Sequence, residues 1–157
     1  MAIHPALAHL YPLVGTWRGS GHGEYPTITS FDYTDEWQFL DIGKPFLLFI
    51  ERTWSAAGAP MHTETGYLRA PTVDSIEIIA AIPTGQSELG VGTSSASGDA
   101  LTLTTDAEIR CTPTAKRVDQ IVRRFDLTGD DLDYRMEMSA VGQGLTLHLR
   151  SHLARQD

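Results

Sequence analysis

The chain has 157 residues, enough for one domain that buries a core or wraps a ligand-sized cavity and too few to suggest a second. Hydrophobic residues make up 41% and charged residues 20% of it, an ordinary globular balance that leaves little room for disorder. The formal net charge of −8 argues against a nucleic-acid surface, which needs clustered lysine and arginine, and the Arg123-Arg124 pair does not alter that.

The opening run MAIHPALAHLYPLVG lacks the charged start and long apolar stretch of an export signal. No segment reaches the roughly 18 apolar residues that cross a bilayer, so a cytoplasmic protein without membrane contact is the expectation. A short helix is predicted over 6–13, broken at its end by Pro12 and Gly15. Alternation and turn residues then predict about ten strands. They cover 16–23, 29–40, 45–55, 61–69, 75–82, 86–95, 100–106, 115–127, 131–140 and 145–155.

The links are short and rich in turn formers, among them Ala57-Gly58-Ala59-Pro60, Pro83-Thr84-Gly85, Ser97-Gly98-Asp99, Thr128-Gly129-Asp130 and Gly142-Gln143-Gly144. Such links favour antiparallel neighbours, and a long meander hides its edges best by closing. The expected fold is all-β: a ten-stranded antiparallel up-and-down barrel of the lipocalin or fatty-acid-binding-protein kind, one domain over 1–157. Eight strands enclose one small ligand, so about ten should leave a wider cavity rather than a solid core. Phe31, Tyr33, Trp37 and Phe39 share one strand face, as do Leu132, Tyr134, Met136 and Met138. These faces suit an apolar pocket, or simply a core.

The segment Gly15-Thr16-Trp17-Arg18-Gly19-Ser20-Gly21-His22-Gly23 puts one large ring and then a strip without side chains on one strand face. Such a strip lets a backbone or a flat ligand approach closely. It is no phosphate loop, because no lysine follows in the required place and no helix begins there. One cysteine, Cys111, excludes an internal disulfide and a cysteine-rich zinc site, and with no CxxCH a haem could not be thioether-linked in the usual way. No GxSxG elbow supports a hydrolase, and Asp130-Asp131 at a turn reads as solvated.

The glycine-tryptophan segment, continued by Tyr25-Pro26-Thr27-Ile28, resembles the GxWxGxGxG and YPTI signatures of the nitrobindin family. The likeness runs on through Gly43-Lys44-Pro45-Phe46-Leu47, His62-Thr63-Glu64-Thr65-Gly66-Tyr67-Leu68-Arg69, Pro113-Thr114-Ala115-Lys116 and Leu145-Thr146-Leu147-His148-Leu149. It implies a ten-stranded barrel carrying ferric haem b non-covalently, with His148 as proximal iron ligand. It further implies haem contacts at Thr27 and at Lys116, and a place for His62 on the open side of the haem or, equally, on the surface. The implied activity is nitric oxide binding and isomerisation of peroxynitrite to nitrate. Neutral imidazole suits iron because one nitrogen takes the metal while the other keeps an orienting hydrogen bond.

Two rivals stay open: the same barrel as a non-catalytic carrier of a fatty acid or other apolar ligand, and a haem-based nitric oxide carrier or sensor. His152, four residues beyond His148, competes for the ligand role. Strict alternation also creates a conflict, because an inward His148 turns Leu145, Leu147, Leu149 and Leu153 outward. Cover by the N-terminal helix, by a second subunit in a homodimer, or a face change at a bulge would resolve it.

Overall fold

The computed structural model describes residues 3–157. A 3₁₀ helix (Pro5–Leu13) leads into ten strands: β1 (Gly15–Gly23), β2 (Phe31–Asp41), β3 (Phe46–Ser55), β4 (Pro60–Arg69), β5 (Ser75–Ile82), β6 (Gln86–Ser97), β7 (Ala100–Cys111), β8 (Val118–Thr128), β9 (Asp131–Ala140) and β10 (Thr146–Gln156). Each strand pairs antiparallel with the next, and β10 returns to β1, so the sheet closes into the expected up-and-down barrel. Among the described residues no helix is long and apolar enough to cross a membrane. β7 extends to Cys111, past its expected end at 106, and Pro12 lies inside the helix rather than ending it. Pro12 stands in the last turn, where its missing N–H forfeits at most one hydrogen bond.

The helix seals one end. Leu7, Leu10 and Leu13 are fully buried, and the Trp17 indole donates to the Leu13 carbonyl at 2.8 Å. The Arg155 guanidinium stacks 4.2 Å from the Trp17 ring centroid and donates to the carbonyls of Val14 and Pro12, which holds the last strand against the seal. Above it Trp37 meets Phe39, Phe49, Phe125 and Tyr134 at centroid distances of 5.6, 5.5, 5.1 and 4.9 Å. This half of the barrel is therefore a packed core, and the expected cavity is confined to the other half. Five aromatic rings at one level fill the cross-section that additional strands opened.

The glycine strip of β1 serves the same packing. Gly21 pairs with Tyr33 and Gly23 with Phe31, and a Cβ on either glycine would stand 2.3 or 2.2 Å from the partner's ring. The flat object lying on the strip is thus the chain's own pair of rings.

Three register shifts cluster toward the other, open end. They fall between Thr53 and Trp54 on β3 opposite β4, between Val118 and Gln120 on β8, and between Leu147 and Leu149 on β10. Each leaves one residue unpaired: Met61, Asp119 and His148. A bulge re-aims side chains and flips the face of every residue beyond it. On β10 it resolves the leucine conflict: beyond His148 the inward face carries Ser151 and Leu153, both buried, while Arg150 and His152 face solvent. Leu149 and Leu153 are thereby turned inward, while Leu145, before the bulge, stays exposed.

Candidate functional site

The open half holds a cavity of about 350 Å³. Its walls are largely apolar, with Tyr25, Phe31, Tyr33, Ile82, Val118, Ile121, Met136, Met138 and Leu149 contributing. Tyr33, Met136 and Met138 reach it by the strand alternation expected of them. Met61, His62, Lys116 and His148 also line it, while Glu51, Glu64 and Arg123 bring charge.

His148 reaches the cavity because it is the unpaired residue of the β10 bulge, so both it and Leu149 point inward. Its Nδ1 lies 3.0 Å from the Glu24 carbonyl oxygen, and its ring packs edge-on against Tyr25 at 5.4 Å. The Tyr25 hydroxyl is fixed in turn, accepting from the Ala140 amide at 2.9 Å and lying 3.1 Å from the Met138 carbonyl. A carbonyl only accepts, so Nδ1 carries the proton and Nε2 keeps its lone pair. Burial, reinforced by Lys116 and His62, lowers the His148 pKa below its ordinary value against the pull of the Glu24 carbonyl, so the ring is neutral near physiological pH. A half-buried neutral imidazole with a fixed tautomer and a free nitrogen, beside an apolar wall, is what a haem iron would require of a protein ligand.

The other expected residues divide. His62 lines the cavity from β4, its Nε2 3.4 Å from a Glu64 oxygen. Lys116 lines the mouth and is exposed, while its carbonyl accepts from the Gln86 side chain at 2.8 Å. Thr27 is not brought into the cavity: it is exposed on the turn that Ile28 closes by donating to the Tyr25 carbonyl at 3.2 Å, and it is Tyr25 that reaches inward. His152 shares no face with His148. It stands outside the barrel, 2.7 Å from Asp133, and that carboxylate raises its pKa.

The sequence reading missed the ionic floor of the cavity. Arg123, 1% exposed, donates to both oxygens of Glu64 and of Glu88 and to the Tyr134 hydroxyl. Although burial opposes it, the two carboxylates raise the Arg123 pKa further and keep the guanidinium charged. Burial would raise Glu64, but Arg123 and His62 hold it down to about 2. Glu51 lies directly across from Glu64 in the β3–β4 register, and burial, then Glu64 and Asp35, push it well above the usual glutamate range. Asp35, fully buried, accepts from Ser151 at 2.7 Å and from the Trp37 indole at 3.3 Å, and burial raises it to about 6. A signal was available. Glu51 alternates with Leu47 and Phe49, and Arg123 with Ile121 and Phe125, so each charge sits on an apolar face.

A family model described as "THAP4-like, heme-binding beta-barrel domain" matches residues 6–155. The "Peroxynitrite isomerase 2" of Mycobacterium marinum is 47% identical over 156 residues, which are 98% of this chain and 97% of that protein. The "Peroxynitrite isomerase" of Nocardia farcinica is also 47% identical, over 157 residues that are 99% of this chain and 94% of that one. Among solved structures, the crystal structure of Rv2717c from M. tuberculosis superposes with a TM-score of 0.96 at 43% identity, covering 99% of this chain and all of that one.

Proposed function

The chain belongs to the THAP4-like, haem-binding β-barrel family, the nitrobindin likeness read from its motifs, and from that premise we propose that it is a ferric haem b protein that isomerises peroxynitrite to nitrate and binds nitric oxide. The observation that carries the assignment of the iron ligand is the free Nε2 of His148, in a ring whose Nδ1 is committed to the Glu24 carbonyl and which faces an apolar cavity. Haem, when bound, supplies a ferric centre at which peroxynitrite rearranges.

The rest is the work of the chain's own residues. Neutral His148 offers a lone pair without first losing a proton, so binding carries no penalty from pH near neutrality. The Glu24 carbonyl and Tyr25 fix the plane of that ring. Ile82, Val118, Met136, Met138 and Leu149 supply the apolar walls that would exclude water and bury a porphyrin without a thioether link, as the lack of a CxxCH requires. Lys116 at the mouth offers a cation to the propionates. His62 brings an imidazole to the cavity wall from β4. A single cysteine suits a reducing cytoplasm.

The ionic floor weighs against a fatty acid held head-inward: a carboxylate reaching the floor would meet Arg123 already held by Glu64 and Glu88.

The deciding experiment is a hemin titration followed by stopped-flow decay of peroxynitrite. The wild-type chain is expected to develop a Soret band at one haem per chain and to accelerate the decay. Saturable uptake without acceleration leaves the nitric oxide carrier, and no specific uptake returns the chain to the apolar-ligand class.

A further inference from the structure

Glu51, His62 and Glu64 face the same cavity, and one donor atom from each lies within 4.8 Å of the others. We propose that these three side chains form a second metal site, distinct from His148, for a divalent cation of the zinc(II) or iron(II) class. One imidazole and two carboxylates are a donor set that such ions accept, leaving further positions open to the cavity.

Four observations lead there. His62 Nε2 and Glu64 Oε2 are 3.4 Å apart, long for a charge-assisted hydrogen bond of about 2.7–2.9 Å. Two ligands each about 2.0–2.1 Å from one tetrahedral ion stand about 3.3 Å from each other. Glu51 is 2% exposed, and its Oε1 is buried without a hydrogen-bond partner. Glu51 and Glu64 are directly opposed across β3 and β4, where like charges destabilise a sheet unless a positive charge stands between them. Finally, the floor is short of positive charge. Arg123 serves Glu64 and Glu88, and among the described residues no ion pair reaches Glu51 or Asp35.

The guanidinium does not close the site. Arg123 approaches Glu64 with Nη1 on Oε1 at 2.5 Å and Nη2 on Oε2 at 3.2 Å. A carboxylate has about four lone-pair positions, so Oε2 keeps one on the side of His62. The local fold sets the geometry: the unpaired Met61 precedes His62, and strand alternation then brings His62 and Glu64 to one face. The competing way to relieve the same floor is a proton shared between Glu51 and Asp35, whose Oδ1 is likewise buried without a partner.

The test is calorimetric titration of zinc(II), and in parallel of manganese(II) followed by electron paramagnetic resonance, into the full chain loaded with hemin, so that His148 is already occupied. One cation per chain is expected, with affinity weakened at least tenfold in His62→Ala and in Glu51→Gln. His152→Ala removes the surface histidine beside Asp131 and Asp133 and leaves the titration unchanged. Retention of the Soret band reports that each variant keeps its barrel. If hemin does not bind, the same titration on haem-free His148→Ala reads the cation site alone, which separates failure of this site from failure of the haem assignment. Absence of binding, or binding that survives both cavity variants, overturns the site and leaves the shared proton as the floor's neutralising charge.

Discussion

His148 and the backbone of Glu24 hold each other twice: the His148 Nδ1 lies 3.0 Å from the Glu24 carbonyl, and the Glu24 amide donates to the His148 backbone carbonyl at 2.8 Å. The orienting acceptor is backbone, so the Glu24 side chain is dispensable to it. Glu24→Ala is expected to keep hemin affinity within about twofold, whereas His148→Ala abolishes the Soret band. Tyr25→Phe leaves the ring's edge contact but frees the hydroxyl's bonds to β9, and it should weaken hemin binding about tenfold, the low end for an outer-shell partner. Equilibrium hemin titrations rank the three, and Glu24→Ala binding as weakly as Tyr25→Phe would refute the clamp.

The β1 glycines make a stability prediction. A Cβ at Gly19 would lie 1.9 Å from the His152 carbonyl oxygen, and one at Gly21 would enter the Tyr33 ring, while nothing stands within 4 Å at Gly144. Gly19→Ala meets backbone that cannot move without breaking the β1–β10 pairing, so a loss of about 3 kcal/mol or more is expected. Gly21→Ala displaces a ring and costs about 1–3 kcal/mol. Gly144→Ala stays within about 0.5 kcal/mol of wild type. Urea unfolding gives all three, and equal losses at Gly19 and Gly144 would contradict the packing described.

Arg123 links two buried carboxylates, Glu64 and Glu88. Arg123→Met leaves Glu64 and Glu88 buried and uncompensated, at about 3–5 kcal/mol. Neutralising both acids as well, in Arg123→Met with Glu64→Gln and Glu88→Gln, should recover at least half of that loss. If the triple variant is no better than the single one, the cost lies in packing around Tyr134 and not in charge. Thermal melts of the two variants decide it.

The barrel was legible because alternation, short glycine-rich turns and aromatic faces all pointed the same way; β5 and β9 fall where the sequence put them. The site was legible only through family motifs, and alternation alone misled. It made His152 a rival of His148, because a single unpaired residue on β10 reverses every face after it and nothing in Leu147-His148-Leu149 announces the shift. The floor was legible only in part. Asp35, Glu51 and Arg123 each stand in an apolar strand row, which marks them as buried, yet their partners lie far off in sequence, as Ser151 of the last strand does for Asp35, so the pairings carry no local pattern. The filled lower half belongs with these, since whether aromatic faces enclose space or consume it depends on all five rings meeting.

Acid and alkali should act on the floor in opposite directions. Glu64 is held at about 2, below its ordinary 4.5, by Arg123 and His62 against burial. It therefore contributes stability that is present above about pH 4.5 and lost as pH falls toward 2. Asp35 is raised from 3.8 to about 6 by burial, so between those values the folded chain binds more protons than the unfolded one. Its contribution is favourable at low pH and declines as pH rises through that window. Asparagine at 35 keeps an acceptor for Ser151 and offers Glu51 a donor. Asp35→Asn should consequently gain on wild type as pH rises from about 4 to 6, and hold a constant advantage above that. Glu64→Gln behaves oppositely, its deficit shrinking as pH falls below 4.5. Urea midpoints at half-unit intervals from pH 3 to 8 measure both curves, and an Asp35→Asn curve parallel to wild type throughout would mean that Asp35 is ionised in the fold as readily as in the unfolded chain.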